Sequence, residues 1–243
     1  MAQPVHFHAR VESITRHDTD TATYVLGADK RLPRFVPGQF IHLAIDPYDP
    51  ASFWPTSRVF SVANAVADRK TVQLTISRQG AFTSRVLDEL VVGSDVWGKG
   101  PYGDFSLTPS ADHAVVLIAG GTGVTPFASY MDAALTEGSL PAPRAILHYG
   151  ARRPELLVYR ELADRCASRV PGFTARYYAQ DGAGDAAVRP GMLDVDAIVR
   201  DTGATANVSF YISGPRSMIR SFQSRLIETH HVPADHVLVD AWD

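Results

Sequence analysis

The chain has 243 residues, 45% of them hydrophobic and 20% charged, the balance of a globular protein with room for one large domain or two small ones. Its net charge of −3 provides no basic surface for nucleic acid or an anionic membrane, so neither is expected as a partner. No apolar run approaches the roughly 20 residues of a membrane span.

The opening residues, Met1-Ala2-Gln3-Pro4-Val5-His6, lack a basic stretch leading into an apolar core. No signal peptide is read there, and a soluble cytoplasmic protein is expected. Residues 1–108 then read as strands. Val5, Phe7, Ala9 and Val11 alternate with polar neighbours; Phe40, His42 and Ala44 alternate against Ile41, Leu43 and Ile45; Val72, Leu74 and Ile76 follow. Turns fall at Pro33, Pro37-Gly38, Asp46-Pro47 and Ala67-Asp68-Arg69-Lys70. The pattern predicts a small antiparallel barrel, which removes exposed sheet edges by closing.

Three motifs punctuate this half. Arg58-Val59-Phe60-Ser61 opens an apolar strand behind the polar turn Pro55-Thr56-Ser57. It sets a cation, a flat ring and a hydroxyl on one strand, the three groups a flavin nucleotide needs. The plain alternative is a half-buried edge strand with one solvated Arg. Gly80-Ala81-Phe82-Thr83-Ser84 leads into helix-like residues 85–90, which places N–H donors and two hydroxyls at a helix start. Gly100-Pro101-Tyr102-Gly103-Asp104-Phe105 comes next, and Leu107-Thr108-Pro109-Ser110 reads as the boundary between domains 1–108 and 109–243.

Beyond it the rhythm becomes strand, helix, strand. The apolar run 115–118 enters Ala119-Gly120-Gly121-Thr122-Gly123-Val124-Thr125-Pro126, and a helix begins at Pro126, where the missing N–H costs nothing. Buried strand, glycine turn and helix together present backbone N–H groups to a phosphate. A strand at 145–149, a helix over 154–169 and a strand at 174–179 follow. Residues 181–190, rich in Gly and Ala, read as a loop on the carboxyl edge of the sheet. A strand at 209–213 passes through Gly214-Pro215 into a helix with Met218, Ile219, Phe222 and Leu226 inward, and residues 237–239 close the sheet. Alternating strands and helices predict a parallel, doubly wound α/β domain. The single cysteine, Cys166, follows Leu162 and Val158 at helical spacing, which marks it as a small core residue. One cysteine supplies neither a disulfide nor the four thiolates an iron–sulfur cluster usually takes, so no intrinsic cluster is expected. The nine histidines show no metal-ligand spacing, and His230-His231 read as pointing apart on a helix, so no metal is expected.

In this order the motifs resemble those of the ferredoxin–NADP reductase superfamily: R-x-[YF]-S, G-x-x-G-x-F, G-G-T-G-[VI]-[TA]-P and a late C-G-P. The resemblance runs over about residues 5–242, with Ser213 standing where the late Cys is usual. It implies an N-terminal antiparallel Greek-key barrel for flavin and a C-terminal Rossmann-like domain for nicotinamide. It further implies that Arg58 pairs with the flavin pyrophosphate, Phe60 covers the isoalloxazine, and Ser61 bonds near its N5. Val59, Gly80 and Phe82 belong to the same site, with Ser84 before Thr83 as the hydroxyl at the helix start. The diphosphate of FAD explains a charged strand plus a helix start better than FMN does. The nicotinamide nucleotide is expected across Gly120, Gly121, Thr122 and Gly123, with Thr125 and Pro126 toward the flavin and Ser213, Gly214 and Pro215 as second wall. Trp242 is expected to pack on the isoalloxazine and gate access. Asp181 is expected to disfavour a 2′-phosphate and so favour NADH over NADPH, although Arg152 or Arg153 could reach that phosphate. The implied activity is hydride transfer from NAD(P)H to FAD, then electron transfer to a separate acceptor such as ferredoxin, flavodoxin, an oxygenase component, free flavin or a quinone. The alternatives are an electron-transfer or redox-responsive module active only inside a complex, and a flavin-free dehydrogenase. The latter lacks a Tyr followed four residues later by Lys.

Overall fold

The computed structural model describes residues 3–109, 112–182, 186–203 and 207–240. The chain divides into two units, Met1–Ser106 and Leu107–Asp243.

In the first unit the alternating segments pair as an antiparallel sheet of β1 (Val5–Arg16), β2 (Thr21–Ala28), β3 (Phe40–Ala44), β4 (Ser57–Ser61), β5 (Thr71–Ser77) and β6 (Asp95–Tyr102). Their order is β4-β3-β6-β1-β2-β5. The two end strands are drawn together just past β4: Ala63 N donates to Gln73 O at 2.8 Å, and Gln73 N donates to Asn64 Oδ1 at 2.9 Å. The sheet thereby curls into a nearly closed barrel. Inward residues Phe7, Ala9, Val11, Tyr24, Leu26, Ile41, Leu43, Leu74 and Ile76 fill it. Helix α1 (Ala81–Glu89) adds Phe82, Val86 and Leu87 to that core, and the Tyr24 hydroxyl donates to Val86 O at 3.1 Å. The alternation does not pick out β2, whose Thr21 and Thr23 form polar bonds to β5 within the sheet: Thr21 Oγ1 lies 3.1 Å from Ser77 Oγ and Thr23 Oγ1 2.7 Å from Thr75 Oγ1.

The second unit is a parallel sheet in the order β10-β9-β8-β7-β11-β12. Its strands are β7 (Ala114–Gly120), β8 (Ala145–Ala151), β9 (Phe173–Ala179), β10 (Val188–Pro190), β11 (Val208–Ser213) and β12 (Val237–Asp240). From β7 the chain steps outward to β8, β9 and β10, then returns to place β11 on the other side. A crevice therefore opens beyond the carboxyl ends of β7 and β11, where open α/β sheets take ligands. On one face, α4 (Val195–Thr202) and α5 (Arg216–Ser224) bury Val195, Ile198, Ile219 and Phe222 against Val116, Ile118, Phe210 and Ile212. On the other, α2 (Thr125–Glu137) packs on α3 (Arg160–Arg169), and Tyr177 on β9 donates its hydroxyl to Asp164 Oδ1 at 2.6 Å.

Several local expectations are corrected. The helix expected over 154–169 begins only at Arg160, after a short 3-10 turn at Pro154–Leu156. The segment 181–190, expected to be loop throughout, ends in β10, paired parallel to β9 through Val188 and Tyr177. Helix α4 was not anticipated, although Asp194 caps it by accepting from Asp196 N at 3.0 Å. His230 and His231 lie beyond the last helical turn, where His231 takes φ 53 and His230 Nε2 bonds Asp196 at 2.8 Å. Cys166 is fully buried on α3, and burial pushes its thiol up to about 12, an inert core residue.

Candidate functional site

In the barrel unit the candidate residues converge on Phe82. β4 is an edge strand whose register pairs Leu43 with Arg58 and Ile41 with Phe60, so both side chains leave the face shared with those core residues. The Phe60 ring is half-buried and stacks on Phe82, with centroids 6.4 Å apart and planes at 28°. The exposed Arg58 guanidinium lies 5.8 Å from the same Phe82 ring. Its one hydrogen bond is a donation to the adjacent Ser57 O at 2.8 Å; among the described residues no carboxylate meets it. Val59 alternates to the opposite face, opposite His42, and Ser61 ends the strand opposite Phe40, buried.

The start of α1 is tightened by Thr83. Its Oγ1 accepts from Gln79 N at 2.8 Å and Gly80 N at 3.1 Å, and donates to Gly80 O at 3.1 Å. That hydroxyl is used up by the turn. The Ser84 hydroxyl has no partner among the described residues. A Cβ on Gly80 would meet nothing within 4 Å. Among the described residues, a cation that meets no carboxylate lies over the Phe82 ring in the first turn of α1, and the same turn carries N–H groups with no intrahelical acceptor and the Ser84 hydroxyl. That set fits a pyrophosphate.

In the α/β unit the two glycine stretches interlock at the switch point between β7 and β11. A Cβ on Gly123 would lie 2.5 Å from Ser213 C and O and from Gly214 N, so that glycine exists for close backbone approach. Gly120 is similarly backed by Met218 and Pro215, each 2.9 Å from where its Cβ would be. Gly121 differs: it takes φ 56 and would point a Cβ into open space. Of the loop's glycines, then, Gly121 is the one that faces open space. The Thr125 hydroxyl donates to Thr122 O at 3.0 Å and both Thr125 and Pro126 are buried, so these two shape the turn. Pro215 starts α5 and Gly214 lies against Gly120, with Gly120 N 3.1 Å from a Gly214 Cβ.

Ser213 is 3% exposed, and its hydroxyl donates to Asp240 Oδ2 at 3.0 Å across the β11–β12 register. Asp240, itself buried, was missed from sequence. The available signal was an acid closing the apolar strand Val237-Leu238-Val239 on the carboxyl edge. Trp242 lies outside the described residues. Asp181 stands past the end of β9 and accepts from Arg152 Nε at 3.1 Å.

Elsewhere on this sheet His148 is fully buried. Its Nδ1 lies 3.1 Å from Tyr178 Oη and its Nε2 has no partner among the described residues. Burial, reinforced by Arg176 and Arg189, lowers its pKa to about 3.

The profile of the oxidoreductase NAD-binding domain family matches residues 117–224. Among curated proteins, the flavohemoprotein of Pseudomonas putida is 31% identical over 195 residues, which is 78% of this chain and 47% of its own length. The reductase component of propane 2-monooxygenase from Mycolicibacterium smegmatis is 30% identical over 218 residues, 86% of this chain and 59% of its own. The crystal structure of an Amycolatopsis cytochrome P450 reductase matches with a TM-score of 0.82 at 27% identity, covering 98% of this chain and 69% of that one. Residues 117–224 thus match the oxidoreductase NAD-binding domain family, and over most of its length the chain is similar to ferredoxin reductase-type FAD/NAD-binding oxidoreductases. It spans 47% and 59% of the length of these two curated relatives.

Proposed function

We propose that this protein is a flavin-dependent NAD(P)H oxidoreductase that hands electrons to a separate acceptor, with FAD held by residues 1–108 and the nicotinamide nucleotide by 109–243. The observation that carries this reading is the meeting of Arg58, exposed and without a carboxylate partner among the described residues, with the start of α1 across the Phe82 ring. Two sources of positive potential on one spot suit a diphosphate, which favours FAD over FMN. Bound FAD supplies the chemistry, taking an electron pair as hydride and releasing single electrons.

The chain's own residues bind and orient. Arg58, the first N–H groups of α1 and the Ser84 hydroxyl neutralise the flavin pyrophosphate, while Phe60 and Ser61 offer a ring and a hydroxyl. The N–H groups at Gly121, Thr122 and Gly123 receive the nicotinamide nucleotide's pyrophosphate. Ser213, held by Asp240, forms the wall beyond β11. No side chain is called on as a general acid or base.

The acceptor is a redox protein, an oxygenase component or a ferredoxin or flavodoxin, sharing the cytoplasm with this chain. The names of its relatives, reductase components of monooxygenases among them, support that class. With Cys166 its one cysteine, the chain offers no cluster of its own for single-electron transfer. Among the described residues no helix is long and apolar enough to cross a membrane.

The test is the visible spectrum of the purified chain, its bleaching by NADH or NADPH, and turnover of ferricyanide. A yellow protein that bleaches and turns over supports the reading. A colourless protein that takes up no added FAD overturns it. Bleaching without ferricyanide turnover would favour the module that works only inside a complex.

A further inference from the structure

The amino edge of the parallel sheet, opposite the glycine loops, brings two imidazoles together. His113 directly precedes β7, and His236 ends the short 3-10 turn Ala234–His236 that enters β12. β11 lies between those strands, and its Ser209 sits level with His236, one residue before the Phe210–Val237 pair. The two rings meet with centroids 4.6 Å apart and planes at 67°. Residues far apart in sequence share one spot because three strands start there.

The nitrogens of this pair are under-used. His113 Nδ1 lies 3.1 Å from Oγ of the buried Ser209, and that is the only hydrogen bond either ring makes among the described residues. His236 Nδ1 is buried without a partner among them. A buried ring nitrogen is normally bonded to protein, to water or to an ion.

The spacing suits an ion. Two imidazoles bound to one metal through bonds of about 2.1 Å, at roughly 90–110° to each other, have centroids about 4.6–5.3 Å apart. The observed pair stands at the tight end of that range. Ser209 supplies the outer hydrogen bond that metal-ligating histidines use: a proton on His113 Nδ1, held by Oγ, fixes the tautomer and leaves Nε2 its lone pair. Asp112 and Asp235, each exposed and next to one of the histidines, add negative potential at this edge. No group of three His, Cys, Asp or Glu is placed to hold a metal among the described residues, so water takes the remaining positions. Neutral imidazole nitrogen selects Zn²⁺, Ni²⁺ or Cu²⁺ over Mg²⁺ and Ca²⁺.

We propose that His113 Nε2 and a ring nitrogen of His236 form a two-imidazole site for a divalent cation of the zinc and nickel class, oriented by Ser209. The bound ion clasps the starts of β7 and β12 across β11, and so steadies β12, the strand that carries Asp240. The proposal stands apart from the flavin and nicotinamide readings and does not need either.

The experiment is calorimetric titration of the full chain, untagged, carrying its flavin and freed of metal by a chelator, with ZnCl₂, NiCl₂ and MgCl₂ near neutral pH. The wild type is expected to take up one Zn²⁺ or Ni²⁺ per chain and no Mg²⁺. His113→Ala and His236→Ala should each abolish that uptake, and Ser209→Ala should weaken it about tenfold, the scale of a lost outer hydrogen bond. Where a variant fails to fold, the wild type alone decides: Zn²⁺ should protect His113 and His236, and not the exposed His231, from diethyl pyrocarbonate, as read by mass spectrometry. No uptake by the wild type, uptake at wild-type affinity in either histidine variant, or no protection of the pair overturns the proposal.

Discussion

Replacing Gly123 by Ala tests whether the two glycine stretches of the α/β unit are one interlocked backbone. A Cβ there would stand 2.5 Å from Ser213 C, Ser213 O and Gly214 N. Non-bonded heavy atoms settle near 3.5 Å, so one of the two segments must retreat by roughly an ångström. All three neighbours are backbone atoms, and no rotamer change relieves the contact. Overpacking of this kind costs about 1–3 kcal/mol. For a chain of this size each kcal/mol lowers the melting temperature by about 2–4 °C, so the variant should melt roughly 2–12 °C lower. Thermal unfolding of the flavin-free protein, followed by circular dichroism, reads this without any contribution from bound flavin. Gly80→Ala is the matched control, because a Cβ there meets nothing within 4 Å and its φ of 175 is ordinary extended backbone. If Gly123→Ala and Gly80→Ala both melt with the wild type, the interlocking of the loops is wrong.

Arg58→Ala should give a folded but largely colourless protein, since losing a charge-assisted phosphate contact of about 1.5–3 kcal/mol weakens flavin binding roughly 10- to 150-fold; wild-type flavin occupancy after gel filtration would contradict the assigned role. Gly80→Ala should also lower flavin retention, by placing a methyl in the open space at the start of α1, and an unchanged flavin content would move the pyrophosphate elsewhere. The His148 pKa of about 3 in the folded chain lies below the 6.5 of an unfolded one. Its contribution to stability is therefore complete above pH 6.5 and is lost as pH falls toward 3, by up to about 1.4 kcal/mol per unit. Urea unfolding across that window should show a shallower slope for His148→Gln than for the wild type, and equal slopes would remove His148 from the account.

The fold was legible wherever one physical period dominated. Strict alternation in Val5, Phe7, Ala9 and Val11 reports a sheet with one face in a core, and β1 buries Phe7, Ala9 and Val11 as the pattern requires, with Val5 half-buried at the strand's start. The run before Gly120 reports a strand covered on both faces, and β7 is buried along almost its whole length. β2 was illegible because its interior mixes Thr21 and Thr23 with apolar residues and satisfies them across the sheet, so no clean alternation survives. β10 spans only Val188–Pro190, too short to show any period, and ends in a proline tolerated at the sheet's edge. Helix α4 did carry a signal: Asp194 before Val195, then Ile198 and Thr202 at helical spacing.

The site was legible in its backbone and not in its side-chain pairings. A glycine-rich signature writes two different demands with the same letter: Gly121 turns its bare face to open space, whereas Gly123 gives its missing side chain to the Ser213–Gly214 backbone. Sequence spacing cannot separate these, because the second depends on where β11 ends. Hydroxyls behave alike. Thr83 and Ser84 are adjacent and equivalent on paper, yet the turn at Gly80 consumes the first and leaves the second free among the described residues. Ser213 was read alone, and its partner Asp240 is 27 residues away, joined only by strand register. Arg152 and Asp181 were read as rivals for one phosphate. In the fold they are bonded to each other. Motifs thus locate the glycine turns and helix starts, because these are set by local backbone. Side-chain pairs such as Ser213–Asp240 and Arg152–Asp181 are made across strands, and those appear only once the sheet is assembled.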